Sequence, residues 1–448
     1  MHIVIIGNGI AGITAARHLR KRDSDVELTV ISKESKYFFS RTALMYVYMG
    51  HMKQEHTQPY ENWFWEKNRI NLVHDEVVDV DFKAQALKLK NSDIVYDNLI
   101  IATGSKPNKF GWPGQDLPGV RGLYSLQDLE YLESISDTIS SAAVVGGGLI
   151  GIELVEMLLS RGKKVHFIVR DKSFWSNVLS EEEGRMLEEH MVKDHHVDLR
   201  LGQNLEEIIP GKNGSAAFVK IKETGEKLPV EFVGLTAGVS ANIGFLKGRE
   251  LEIDKGILVD EYLRTNVKNV YAIGDCCQLR EAPAGRRSIE QVWYVGRMMG
   301  ETLAKTVSGK ATAYNPGPWF NSAKFMDIEY QTYGNVPAKL EEHQEEFFWR
   351  HPKEYLAIRV VFERETEQFV GINTFGIRMR HHFFDHCLRE GVEVDTVMAQ
   401  LRDVNFDPEF YKSYEEEILR AYNAKFLKHI KPKKRSWQRI LSVLSKQA

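Results

Sequence analysis

The sequence predicts an α/β protein with two parallel-sheet units of the doubly wound kind, followed by an α+β region. Three observations predict it. Two apolar strands, about 140 residues apart, each run into a glycine-rich turn and then a helical pattern. Each unit is followed by another apolar strand at βαβ spacing. After residue 319 the pattern changes to short runs of alternating apolar and polar residues, as in strands with one buried face. At 448 residues the chain exceeds one ordinary core, so two or three domains are expected.

In the first unit, MHIVIIGNGIAGITAARHL, strand His2–Ile6 meets Gly7, Gly9 and Gly12, and Ile13, Ala16 and Leu19 follow at helical spacing. Gly7 permits the tight turn, Gly9 lets backbone approach a pyrophosphate, and Gly12 lets the helix pack on the strand. The helix start at Ile10 and Ala11 then faces the negative charge. The second unit is SAAVVGGGLIGIELVEMLLSRGKKVHFIVR. Its turn carries Gly146, Gly148 and Gly151, its helix starts at Leu149 and Ile150, and strand 164–169 follows. Both are Rossmann-like dinucleotide-binding fingerprints. Units so far apart cannot share one ligand, so two dinucleotides are expected, FAD with NADPH or NADH being the usual couple.

The remaining composition narrows the class. A formal net charge of -3 gives no global attraction to nucleic acid, which is not expected as a partner. No run of about 18 apolar residues suggests a membrane span. The chain begins on an apolar strand, without the basic leader and cleavage site of a signal peptide. Three cysteines, Cys276, Cys277 and Cys387, form no CxxC pair, so neither a disulfide framework nor a zinc site is suggested. A cytoplasmic location is expected.

With these two units, the chain resembles the two-dinucleotide flavoproteins of the pyridine nucleotide-disulfide oxidoreductase superfamily. Ile100-Ile101-Ala102-Thr103-Gly104 is similar to the motif that returns the chain toward the FAD. Leu235-Thr236-Ala237-Gly238-Val239, with Asn242, matches the turn leaving the NAD domain. Val270-Tyr271-Ala272-Ile273-Gly274-Asp275 matches the late FAD motif. The resemblance implies that Asp275 hydrogen-bonds the ribityl chain; a helix cap is a compatible second role. It also implies an FAD-binding domain of residues 1–112 plus 247–310, interrupted by an NAD(P)-binding domain at 113–246. A C-terminal α+β interface domain (311–423) and a basic amphipathic tail (424–448) complete the expected organisation.

The acid that meets ribose hydroxyls in NAD-selective units is missing, because Val169 stands there with Arg170 and Lys172 nearby. That tilts toward NADPH, and Asp171 keeps NADH open. In the first unit Glu34 is the first carboxylate after the strand, hence the candidate ribose contact or else a loop acid. Glu153 resembles the family glutamate that points toward nicotinamide and flavin. Glu290, Gln291 and Trp293, in SIEQVWYVGRMMG, resemble the opening of the flavin-contacting helix. Glu153 and Trp293 are the expected catalytic residues, in a reaction that is mostly positioning of the nicotinamide against the flavin.

The family's disulfide reductases carry a cysteine pair, and its peroxidase, oxidase and coenzyme A disulfide branches a single cysteine, after the first unit. Here Tyr37 to Tyr46 contain none, so a thiolate relay is not expected. Ser40-Arg41-x-x-Leu44 is instead similar to the branch of rubredoxin and ferredoxin reductases, apoptosis-inducing factor and nitrite reductase FAD modules. Arg41 is thereby an expected FAD contact, while Tyr46 replaces the lysine of ferredoxin reductases.

From Trp319 to Gly376, KFMDIEYQTYG, YLAIRVVFE and QFVGINTFG read as an antiparallel sheet. The region Asn405-Phe406-Asp407-Pro408-Glu409 lacks the histidine of the disulfide reductases' His-Glu pair. His382 and His386 lie one helical turn apart without a convincing third ligand, and no metal is expected. The stretch 424–448 holds eight Lys or Arg and no acid, with Trp437, Ile440, Leu441 and Leu444 on one helical face. An anionic membrane surface or an acidic carrier protein would suit it, as would packing on its own protein; peripheral placement at the inner membrane face follows from the first of these.

The expected function is an FAD-dependent NAD(P)H oxidoreductase. It passes electrons from flavin to a separate acceptor: an iron–sulfur protein, a quinone or dioxygen. Direct reduction of a small organic substrate and a redox-sensing interaction protein with little turnover are the competing readings. A homodimer is compatible with an interface-type third domain.

Overall fold

A computed structural model of the chain describes residues 1–406 and 412–433. They form two compact units: Met1–Lys172 with Met191–Pro316, and Ser173–His190 with the chain from Gly317 onward.

The first unit holds two five-stranded parallel sheets. One has the order Val270–Ala272, Asn98–Ile101, His2–Ile6, Glu27–Ser32, Ile70–His74. Its central strands are largely apolar because helices and loops cover both faces; Val4, Ile5, Leu99 and Ile100 have essentially no exposure, whereas the edge strand Ile70–His74 exposes Asn71 and His74. The last strand to join comes from far along the chain, after the second sheet is complete. That second sheet runs Asp198–Leu201, Lys164–Val169, Ser141–Val145, Phe232–Leu235, Val120–Arg121. A two-stranded ribbon, Ser105–Pro107 against Val239–Ala241, links the two crossings of the chain.

The helix Ile10–Arg22 packs closely on the helix Trp293–Val307. Small residues permit the approach: a Cβ on Gly300 would stand 2.6 Å from the Ala11 carbonyl oxygen, and one on Gly296 3.3 Å from Ile10. Glu290 and Gln291 were expected to open this second helix. They lie in the loop before it, because the helix starts only at Trp293.

The second unit is built on an antiparallel sheet in the order Phe320–Phe325, Ile328–Gly334, Phe369–Phe375, Ala357–Glu363, Gln344–Arg350. KFMDIEYQTYG proves to be a hairpin rather than one strand, turning through Met326 at φ 55°. Inside this unit Arg359, 1% exposed, is bonded to Glu346 (2.5 Å), to Glu183 (3.4 Å) and to the Pro337 carbonyl (2.8 Å). Asn373 and the Ser180 amide supply Glu183 with further donors at 2.9 and 2.8 Å, as a buried ion pair requires.

Helices His381–Glu390, Val394–Ala399, Leu401–Val404 and Glu415–Phe426 follow the sheet. Residues 424–426 of the expected tail therefore belong to a helix, whereas Trp437, Ile440, Leu441 and Leu444 lie outside the described residues, as do Asp407, Pro408 and Glu409. Among the described residues no helix is long and apolar enough to cross a membrane.

Candidate dinucleotide sites

Each glycine turn has the geometry of a phosphate cradle. Gly7 has φ 112°, and a Cβ there would stand 2.1 Å from the Ala102 carbonyl oxygen. A Cβ on Gly12 would stand 2.1 Å from the Gly7 carbonyl oxygen, whereas one on Gly9 would meet nothing within 4 Å. Two glycines thus serve packing, and the middle one faces open space where a ligand's phosphates can reach backbone. The helix behind it has no side-chain cap, which leaves amide donors at Ile10 and Ala11 for an anion.

The second turn repeats this. A Cβ on Gly146 (φ 122°) would stand 2.5 Å from the Thr236 oxygen, and one on Gly151 2.0 Å from the Gly146 oxygen; Gly148 is open. The helix beginning Leu149-Ile150 again has no side-chain cap. A fourth glycine, which sequence reasoning missed, is also needed for packing here: a Cβ on Gly147 would lie 2.6 Å from a Val169 methyl. Val169 is therefore buried against the turn, and Arg170 beside it is exposed (78%), its Nε 3.2 Å from Asp171. Gly238, at φ 85°, ends the neighbouring strand crossing.

Around the first turn, distant segments converge. Ala102 donates its amide to Ile6 (2.8 Å), Thr103 bonds the Asn242 carbonyl (2.9 Å), and Gly104 takes φ 67°. Gly274 (φ 73°) would place a Cβ 2.9 Å from that of Ala11, which brings Asp275 to the helix start. Ser105 Oγ donates to Asp275 Oδ2 (3.0 Å) and accepts from Gln291 Nε2 (2.8 Å). Burial pushes the Asp275 carboxyl up, and the Ser105 bond and Arg41 oppose that.

Glu34 and Arg41 meet each other. The guanidinium holds both carboxylate oxygens, at 2.8 and 2.6 Å; it also donates to the Tyr124 carbonyl. Leu126 N donates to Glu34 as well (2.9 Å). The carboxylate offered for a ribose is thus committed to protein donors. Ser105 and Tyr124, which link these residues, escaped sequence reasoning, for no local pattern marks them.

Glu290 is also paired, with Arg286 holding it at 2.7 and 2.5 Å and both side chains nearly inaccessible (7% and 2%). Trp293, half-buried, stacks edge-on to Tyr294. On the second glycine helix Glu153 is half-buried; burial, and then Glu156, push its carboxyl up to about 7. The Cys276 and Cys277 thiols are buried and raised by that burial, and Cys276 donates to backbone carbonyls at 3.3 and 3.5 Å. Burial likewise pushes Cys387 up to about 11.

The profile of the pyridine nucleotide-disulphide oxidoreductase family matches residues 1–300. An NADH oxidase from Methanocaldococcus jannaschii is 30% identical over 346 residues, 73% of this chain and 75% of that one. A rhodocoxin reductase from Rhodococcus erythropolis is 32% identical over 330 residues, 72% and 76% of the two chains. Among solved structures, an NAD-dependent persulfide reductase from A. fulgidus superposes with a TM-score of 0.83 at 22% identity, covering 95% of this chain and 83% of that one; it shows the same fold.

Proposed function

The chain belongs to the pyridine nucleotide-disulphide oxidoreductase family, and from that premise we propose an FAD-dependent NAD(P)H oxidoreductase whose electrons leave the flavin directly for a separate acceptor. The observation that carries this reading is the pair of equivalent glycine cradles, one backed by Asp275 and the other by Glu153. FAD, when bound, would supply the redox chemistry that links hydride from a nicotinamide to an outgoing electron acceptor.

The protein's part is to bind, orient and insulate. Gly7, Gly9 and Gly12, with the amides of Ile10 and Ala11, would hold the FAD pyrophosphate, and Ala102, Thr103, Gly104 and Gly274 shape the wall beside it. Asp275 would accept from a ribityl hydroxyl with its Oδ1, since Oδ2 is held by Ser105. Gln291, fixed by the same serine, would meet the cofactor. Glu290 supports that segment through Arg286 rather than by offering a free carboxylate. Gly146, Gly148, Gly151, Leu149, Ile150 and Gly238 would form the NAD(P)H site, with Arg170 at its adenosine end favouring a 2′-phosphate. Glu153, titrating near 7, would hold a proton beside the nicotinamide, and Trp293 would shield the flavin.

A sulfur relay finds no support, since each thiol is buried and raised above its ordinary value. The acceptor is then an iron–sulfur protein, a quinone or dioxygen. Alkylation tests the missing relay. Protein reduced with NADPH and treated with iodoacetamide is expected to keep its electron transfer to ferricyanide. Loss of turnover in step with labelling of one cysteine would overturn the direct route.

A further inference from the structure

Tyr124 has no part in the roles above, yet the groups assigned to the FAD pocket meet on it. Its backbone is pinned at the start of the helix Leu126–Ile135. Asp128 Oδ2 accepts from the amides of Tyr124 (3.0 Å) and Ser125 (2.8 Å), and Ser125 Oγ accepts from Asp128 N (3.1 Å). Its ring lies under the Arg41 guanidinium, 4.5 Å from the centroid, while Phe39 flanks the same cation at 5.2 Å. Arg41 also donates to its carbonyl.

Glu34 closes the ring of contacts. It grips Arg41 from the other side, accepts from Leu126 N (2.9 Å), and takes the Gln127 amide on its own carbonyl (2.9 Å). With its charge matched by Glu34, Arg41 is a poor clamp for a phosphate; its planar fork serves to fix an aromatic ring instead. The ring so fixed sends its hydroxyl to the Ala-Thr-Gly turn, where it accepts from Ser105 N (3.0 Å) and stands 3.4 Å from where a Gly104 Cβ would be. Ser105 is the residue that holds Asp275. Burial raises the phenol's pKa, so the hydroxyl keeps its own proton at neutral pH, with one acceptor position already used.

We propose that Tyr124 is a flavin-positioning residue, locked by the Glu34–Arg41 clasp, whose hydroxyl donates a hydrogen bond to the cofactor bound at the first glycine cradle. The inference rests on the FAD reading above. It gives the clasp a purpose: the chain segment that leaves the first sheet carries a donor back into that sheet's own ligand site. Arg41 and Glu34 then act on the cofactor through Tyr124.

The test is FAD affinity of the full chain, read by reconstituting the apoprotein, together with the visible spectrum of the bound flavin. Tyr124→Phe keeps the ring beneath Arg41 and removes only the hydroxyl. It is expected to weaken FAD binding about tenfold, the usual worth of one lost hydrogen bond to a ligand, and to shift the flavin absorption bands. Arg41→Lys, which keeps charge but loses the two-pronged grip, is expected to do the same, and the double variant to be no worse than either single one. A merely structural role would lower thermal stability without moving the spectrum.

Wild-type affinity and an unshifted spectrum in Tyr124→Phe would overturn the proposal while leaving the function standing. A wild type that takes up no FAD would overturn both. Should Tyr124→Phe fail to fold, Arg41→Lys carries the same comparison.

Discussion

Glu153→Gln should stabilise the protein at alkaline pH and leave it unchanged in acid. Burial and the neighbouring Glu156 hold this carboxyl near 7 instead of its ordinary 4.5. A folded-state value above the unfolded one means that the charged form is disfavoured by folding, so stability is lost as pH rises. Below 4.5 the side chain is neutral in both states and nothing is lost. The loss grows between 4.5 and 7 and is complete above 7. That gap corresponds to about 3 kcal/mol, a ceiling because the side chain is only half-buried and solvent screens part of the effect. Gln is a neutral isostere and escapes the loss. Urea unfolding followed by circular dichroism is therefore expected to show little difference between variant and wild type at pH 4.5 and up to about 3 kcal/mol in favour of the variant at pH 8.5. Glu156→Gln, which removes the second cause, should lower the folded-state value of Glu153, so that less stability is lost and the loss is complete at a lower pH. Equal shifts at both pH values, or a variant less stable at pH 8.5, would refute the reasoning.

Three further outcomes follow from the same geometry. Gly9→Ala should fold normally and lose FAD affinity, since its Cβ meets nothing in the protein, whereas Gly7→Ala should yield little folded protein, its Cβ driven into Ala102 at φ 112°; equal folding yields of the two would contradict the cradle geometry. Arg286→Met should cost about 3–5 kcal/mol by stranding a buried carboxylate at Glu290, and thermal melts should show most of that recovered in Arg286→Met/Glu290→Leu. Arg170→Glu should lower the kcat/KM ratio of NADPH over NADH about tenfold; an unchanged ratio in steady-state assays would remove Arg170 from the nucleotide site.

How legible the site was depends on the range of each interaction. Both glycine turns could be read because strand, turn and helix are neighbours in sequence, and the reason for each glycine is local backbone geometry. Gly274-Asp275 and the Ala-Thr-Gly turn were legible only through resemblance, since their strands reach the first sheet from far along the chain. Tyr124 and Ser105 were not legible at all. Arg41 lies 83 positions from Tyr124 and Ser105 170 positions from Asp275, and no periodicity announces such contacts. Glu290 shows the opposite fault: its place in the motif was visible, but the cation that occupies it, Arg286, could only be seen once the segment stood outside the helix. Val169 was read as a missing acid, and its packing on Gly147 adds the steric cause. In the second unit the alternating runs announced the sheet, while the turn at Met326 did not, because a non-glycine residue at positive φ carries no turn signal of its own.

The most direct test of the whole account is anaerobic rapid mixing of the purified, FAD-loaded protein with NADH and, separately, NADPH. At least one nucleotide is expected to bleach the visible band of the bound flavin at a saturable rate, with NADPH the faster, and a one-electron acceptor then to restore the band without any thiol becoming reactive. A bound flavin that neither nucleotide bleaches would contradict the proposed function.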